Sequence, residues 1–255
     1  MAAERESSTV SIQPYDPPDS RLTLGQTNQD ASDLILPRIK VVQAMSAEAS
    51  RDEDPAKVGD FYNTLTSENY GDKLRFVPIL AFKQRVFLVR QERREKIEAV
   101  LGVPLSEGDG LKCRSLDTIA GSGEPGGECT TCPLSVWDGN IPPLCSETYN
   151  FASINELGEL IILSFAKSSA KTGKRLNSML RMRPGAPWAS TYEASTRKEK
   201  NDRGTFAVPE VKVVGPTPTE LLKVAHDWAS QLAGTVLDVT PEAEETEVPD
   251  SPLPF

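Results

Sequence analysis

Cys113, Cys129, Cys132 and Cys145 are the only cysteines in a chain of 255 residues, and all four fall inside one loop-rich stretch. Cys129-Thr130-Thr131-Cys132 is a CxxC knuckle. Such a turn presents two thiols from one backbone corner, and two more distant cysteines complete the tetrahedron that structural zinc requires. The surrounding residues, 102–147, hold Gly102, Gly108, Gly110, Gly121, Gly123, Gly126, Gly127 and Gly139 but few core-forming side chains. A stretch of that composition needs a metal to fold. Zn2+ bound by the four cysteines is therefore the first expectation, and a four-cysteine iron–sulfur cluster is the alternative that the spacing leaves open. A redox CxxC needs a βαβ setting that the sequence lacks.

The second chemistry-bearing set is cationic and aromatic. The net charge is −9, yet Lys73, Arg75, Lys83, Arg85, Arg90, Arg93, Arg94 and Lys96 crowd one stretch. Lys167, Lys171, Lys174, Arg175, Arg181, Arg183, Arg197, Lys198, Lys200 and Arg203 crowd another, while residues 106–165 hold only Lys112 and Arg114. Segregated cations on an acidic chain are the pattern of a groove that tracks a phosphate backbone. Lys73, Arg75, Lys83, Arg85, Lys167, Lys171, Lys174 and Arg175 are candidates for phosphates, and Phe82, Phe87, Trp188 and Tyr192 for stacking on bases. Two solvated faces would read the same way.

Catalytic patterns fail. Ser168-Ser169-Ala170-Lys171 and Lys171-Thr172-Gly173 overlap, so they cannot play the separate parts of a penicillin-binding site. Gly173-Lys174 lacks the upstream glycine of a phosphate loop, and His226 is the single histidine. A non-enzymatic protein is expected.

The last residues, Glu247-Val248-Pro249-Asp250-Ser251-Pro252-Leu253-Pro254-Phe255, close an acidic run from Asp238 that contains no Lys or Arg. Such a run repels itself and buries little, so it reads as disordered. Its Pro254-Phe255 tip resembles that of bacterial-type single-stranded DNA-binding proteins, and Cys129-Thr130-Thr131-Cys132-Pro133 with Trp137 and Pro142-Pro143-Leu144-Cys145 resembles the zinc-binding insertions of bacteriophage replication-module proteins. The two resemblances imply a bacteriophage-type single-stranded DNA-binding protein of replication or recombination, whose Asp250, Pro254 and Phe255 dock other proteins. The alternatives are an iron–sulfur or zinc-containing nuclease-like enzyme and an adaptor that binds proteins alone. No apolar run approaches the roughly 20 residues of a membrane span, and the N-terminus lacks the apolar stretch of a secretory signal, so a cytoplasmic protein is expected, in the host if phage-encoded.

The elements that must position these residues are mostly strands. Alternation places strands over 36–42, 59–65, 73–80, 84–90, 148–154, 159–166, 188–196 and 205–214, with Pro37 at the edge of the first strand, where its missing N–H costs least, and a turn at 69–72. Leu160-Ile161-Ile162-Leu163 is apolar on both faces, as a covered central strand is. A short charged helix spans 92–100, a second runs from Ser168 to Met182, and a third follows a Thr219 cap and closes at Gly234. The expected fold is α+β: an OB-like small β-barrel or curled antiparallel sheet with two main helices and a zinc-binding loop insertion that carries the four cysteines. The expected organisation is a disordered arm over 1–33, one domain over 34–234 with the insertion at 102–147, and a disordered acidic tail over 235–255.

Overall fold

The computed structural model describes residues 35–239, except 52–54, 90–93, 103, 109, 138, 140–141 and 202–203. The arm over 1–33 and the acidic residues from Glu242 to the end lie outside the described residues, as do Asp250, Pro254 and Phe255.

In chain order the elements are β1 (Arg38–Val41), β2 (Phe61–Asn63), β3 (Asn69–Gly71), β4 (Lys73–Val89), α1 (Arg94–Leu101), β5 (Gly110–Ser115), β6 (Ala120–Gly123) and β7 (Gly127–Glu128). Then follow β8 (Ser146–Ile154), β9 (Leu160–Ala166), α2 (Ala170–Met182), β10 (Ser190–Asn201), β11 (Gly204–Pro216) and α3 (Thr219–Leu232). The strands make one 11-stranded sheet in the order β3-β2-β1-β9-β8-β4-β5-β6-β7, with the β10–β11 hairpin joined to β4.

This corrects the expected OB-like barrel. The sheet is large, mixed and open: β1 runs parallel to β9 while the other pairs are antiparallel, and β3 and β7 end the order without meeting. The physical reason lies mainly in β4. The two strands read from alternation over 73–80 and 84–90 are one 17-residue strand. It pairs with β10 through Lys73–Phe76, with β8 through Val77–Val86 and with β5 through Arg85–Val89. A strand with three partners builds a branched platform where a barrel needs closure. Pro78, which cannot donate to a ladder, sits where the register with β8 shifts, between Pro78 and Leu80. A bulge is the one place inside a long strand where proline is tolerated.

Pro37 lies just before the first residue of β1, which is held between β2 and β9, and residues 69–71 are a strand rather than a turn. β9 is the covered central strand its sequence implies, with Ile161 and Ile162 fully buried on opposite faces. Ile161 joins Phe76, Phe151, Phe165, Leu176 and Tyr192 in one core cluster. Ile162 joins Val77, Ile79, Ile154 and Ala225 in another. Each such side chain removed from water contributes roughly 1.5–3 kcal/mol.

The helices cover the two faces. α2 lies on β8 and β9 through Leu176 and Gly173, and a Cβ at Gly173 would stand 2.7 Å from Tyr149 Cβ and 2.9 Å from Phe165 Cβ. α3 covers the other face with the stripe Leu221, Ala225, Trp228 and Leu232. Pro218, not Thr219, is its N-cap, and Gly234 takes the left-handed conformation just past its end (φ +76°).

Beyond Gly234, residues 235–239 run back along the sheet. Leu237 and Val239 are buried in the α3-side cluster. The buried Gln84 amide clamps them, donating to Leu237 O at 2.6 Å and accepting from Val239 N at 3.4 Å. Asp238 pairs with Arg114 of β5.

Candidate metal centre and cationic groove

The four cysteines arrive from three segments. Cys113 is on β5 opposite Phe87 of β4, the knuckle Cys129 and Cys132 follows β7, and Cys145 directly precedes β8. Backbone hydrogen bonds tie the segments together: Cys129 N donates to Ile119 O at 2.8 Å and Cys145 N to Leu134 O at 2.8 Å. Ser135 Oγ donates to Cys132 O at 2.8 Å and also reaches Cys129 O. None of the four forms a disulfide.

All four line one cavity of about 20 Å³, with Phe87 and Leu134 as walls. That is room for about one water-sized occupant. Gly121 leaves space at its rim, since a Cβ there would come within 3.0 Å of Cys113 Sγ. Among the described residues no group of three or more His, Cys, Asp or Glu stands in coordination geometry. The donor chemistry nonetheless fits one soft or borderline cation: four thiols around a space of single-ion size, with the hydroxyl of Ser135 in the lining engaged by the knuckle carbonyls.

Burial raises the Cys113 thiol, with Cys129 and Cys132 adding to the rise and a backbone hydrogen bond with Gly126 opposing it. Cys145 is pushed up to about 12, chiefly by burial, and Arg85 is the cation that opposes the rise. Cys113 and Cys145 are thus neutral thiols in the metal-free protein, and a bound dication would be what deprotonates them.

The cationic candidates separate into two sets. On β4, Arg75 hydrogen-bonds Glu193 at 3.3 Å and Glu156 at 3.4 Å, and Lys83 meets Glu147 at 2.6 Å. Arg85 donates to Ser135 O at 3.3 Å. Lys73 is exposed at the start of the strand, beside β10. On α2, by contrast, Lys171, Lys174, Arg175 and Arg181 are exposed and make no ion pair among the described residues. No Asp or Glu occurs from Lys167 to Pro187. Lys167 is exposed at the turn before α2, in a left-handed conformation (φ 49°).

The two sets meet at Tyr149. Lys83 Nζ lies 5.7 Å from the ring centroid and Lys174 Nζ 6.0 Å, so two ammonium groups from distant sequence share one aromatic ring. Beside it an open groove of about 320 Å³ is lined by Phe82, Lys83, Thr118, Tyr149, Asn177 and Arg181. It combines an aromatic wall, an amide, a hydroxyl and a guanidinium with one carboxylate, that of Asp117.

The stacking candidates disperse. Phe82 reaches the groove while also packing on the α3-side cluster. Phe87 and Tyr192 are each 1% exposed, the first beside the cysteines and the second stacked on Phe76 at 5.9 Å. A base cannot reach either. Trp188 packs on the α3-side cluster, edge-on to His226 at 6.3 Å. Tyr149, Asn177 and Arg181 were not among the candidates that the sequence offers for this site. For Arg181 the signal was present, because it continues the helical stripe of Lys171, Lys174 and Arg175. For Tyr149 it was not, since its position in an apolar strand looks like core.

The described residues thus form an open mixed sheet that carries a thiol-rich insert and a cationic groove at a helix face. The chain belongs to the Pam3 phage gp34-like protein family, whose model matches residues 13–107 and 143–237, and so to a family of phage proteins. The matched stretches flank residues 108–142, so Cys113 and the knuckle lie between them while Cys145 lies within the second. No curated protein and no solved structure matches the chain significantly. Among the described residues no helix is long and apolar enough to cross a membrane.

Proposed function

We propose that this protein binds single-stranded nucleic acid, DNA in phage replication or recombination, along the α2 face and the adjoining groove, and that a zinc ion bound by the four cysteines holds the insert in place. The observation that carries the strand-binding reading is the cation stripe of α2, which has no ion-pair partner among the described residues. On a chain of net charge −9, four adjacent cations with no acidic neighbour on their helix would be driven to find an external polyanion. The groove beside Tyr149 adds what an unpaired strand needs beyond charge, the partly exposed ring of Phe82 against which a base can lie, with an amide and a hydroxyl at its edge, while Tyr149 itself is buried and holds the two lysines. A duplex offers only stacked edges and would not fill it. Lys171, Lys174, Arg175 and Arg181 engage phosphates, and Lys83, Phe82 and Tyr149 shape the base slot.

Zinc is favoured over an iron–sulfur cluster by volume, since the space among the thiols suits one ion and not a cage of several metals and sulfides. Its role here is structural: it supplies four bonds to a glycine-rich segment with a small core of its own. Asp250, Pro254 and Phe255 carry the further part of the proposal, recruitment of replication or recombination proteins.

The test is a fluorescence-anisotropy titration of labelled single- and double-stranded oligonucleotides across a salt series. Single strands bind more tightly, and the triple variant Lys171→Ala, Lys174→Ala, Arg175→Ala flattens the dependence of log affinity on log salt by about 0.7 for each phosphate no longer neutralised. Absence of strand binding at low salt, or binding indifferent to the triple substitution, overturns the reading.

A further inference from the structure

Arg85 looks at first like one more phosphate-binding cation of β4, yet its surroundings belong to the thiol cavity. It pairs across the sheet with Ser115 on one side and Glu147 on the other. Those residues stand two positions from Cys113 on β5 and two from Cys145 at the head of β8. Its Nη1 donates to Ser135 O at 3.3 Å, and Ser135 in turn holds both knuckle carbonyls. One guanidinium thus touches or flanks all three segments that carry the cysteines. Its Nε is buried and has no hydrogen-bond partner among the described residues.

A buried N–H without a partner is costly, and Arg85 Nε finds no acceptor among the described residues. A dication held by four thiolates carries a net charge of −2. Sulfur so loaded with charge is both a hydrogen-bond acceptor and a counter-ion for a nearby cation. We infer that Arg85 is the charge-balancing residue of the metal centre, its Nε–H and positive charge directed to the thiolates of the loaded site, and not a contact for nucleic acid. It is a positioning residue, since it acts on the ion through the ligands. The inference rests on the zinc reading above.

The experiment measures zinc affinity of the full-length protein by competition with a chromophoric chelator, for the unaltered protein, Arg85→Gln and Arg85→Lys. Lys212→Gln, which removes a cation on β11, serves as a control for net charge. Arg85→Gln weakens zinc binding by about 10–100-fold, the usual cost of losing an outer-shell partner. Arg85→Lys, which keeps the charge but not the planar donor, falls between, and Lys212→Gln leaves the affinity unchanged. With Co2+ in place of zinc, the thiolate-to-metal charge-transfer band moves in Arg85→Gln. The melting temperature supplies a readout that separates packing from charge balance: the increment between chelator-treated and zinc-loaded protein shrinks in Arg85→Gln.

Equal zinc affinity in Arg85→Gln and the unaltered protein, or a variant that destabilises both forms equally, overturns the assignment while leaving the zinc centre standing. An unaltered protein that takes up no zinc overturns both. Arg85→Gln that retains zinc affinity but loses strand affinity returns Arg85 to the groove and likewise overturns the inference.

Discussion

Gly173 shows how one residue's size can govern a face of the molecule. It sits where α2 comes closest to the sheet, and the atoms a Cβ would meet are Tyr149 Cβ and Phe165 Cβ, which belong to strand residues and cannot swing aside. Gly173→Ala gains helix propensity but must push α2 outward, so a net loss of about 1–3 kcal/mol is expected from overpacking, read by urea denaturation. Because Lys174 and Arg175 move with the helix, strand affinity should fall too. At Glu193 the expected effect is on pH dependence. Hydrogen bonding from Lys212 holds its carboxyl below the ordinary value of 4.5, with burial opposing and Arg75 assisting. A carboxyl depressed in the folded state contributes stability above 4.5 that is lost as pH falls through the folded value. Glu193→Gln should therefore flatten the acid limb of a stability-against-pH curve below about 4.5; an unchanged limb would show that the pairs add nothing in solution.

At the scale of elements, β4 decides most of the architecture, and the segment after α3 depends on it. Gln84 is 1% exposed and satisfies two backbone groups of the docked segment while accepting from Asn150 Nδ2 at 3.2 Å. Gln84→Ala leaves those groups unpaired, at about 1–3 kcal/mol, and should free residues 235–239 to proteases. Cleavage beyond Gly234 at unaltered rates would mean that burial of Leu237 and Val239 suffices without the clamp. Strand alternation describes β4 only over Lys73–Phe76; Val77–Ile79 are all buried, and Phe87 is buried together with Val86 instead of sharing an exposed face with Lys83 and Arg85. Continuity through Ala81–Lys83 was not visible locally. It comes from β8, which pairs across that whole span.

For the whole molecule, the packing separates the insert from the sheet core. Phe87, Val89, Ile97, Leu105, Leu134 and Cys145 form their own cluster, apart from those under α2 and α3. The family match likewise runs on either side of 108–142. Chelation of zinc, or Cys129→Ser, should therefore open the insert to proteolysis and raise its amide exchange while β8 and β9 stay protected. Collapse of protection throughout the sheet would show that the metal supports the entire fold, and an unchanged digestion pattern in protein free of metal would refute the zinc reading.

What the chain's own residues determined was local. Four clustered cysteines, the acid-free stretch around α2, the doubly apolar β9 and the amphipathic stripes of α2 and α3 follow from composition and period, because helix and strand periodicities act over a few neighbours. Tertiary structure alone decided what is non-local: that β1 joins β9 in parallel, that the sheet stays open, and that Arg75 and Lys83 of β4 are neutralised by Glu147, Glu156 and Glu193. It also decided that Arg85 donates to Ser135 O beside the knuckle while Lys83 and Lys174 converge on Tyr149. Those outcomes depend on which strand lies beside which, and one strand's pattern of side chains is compatible with several partners until packing and register select among them.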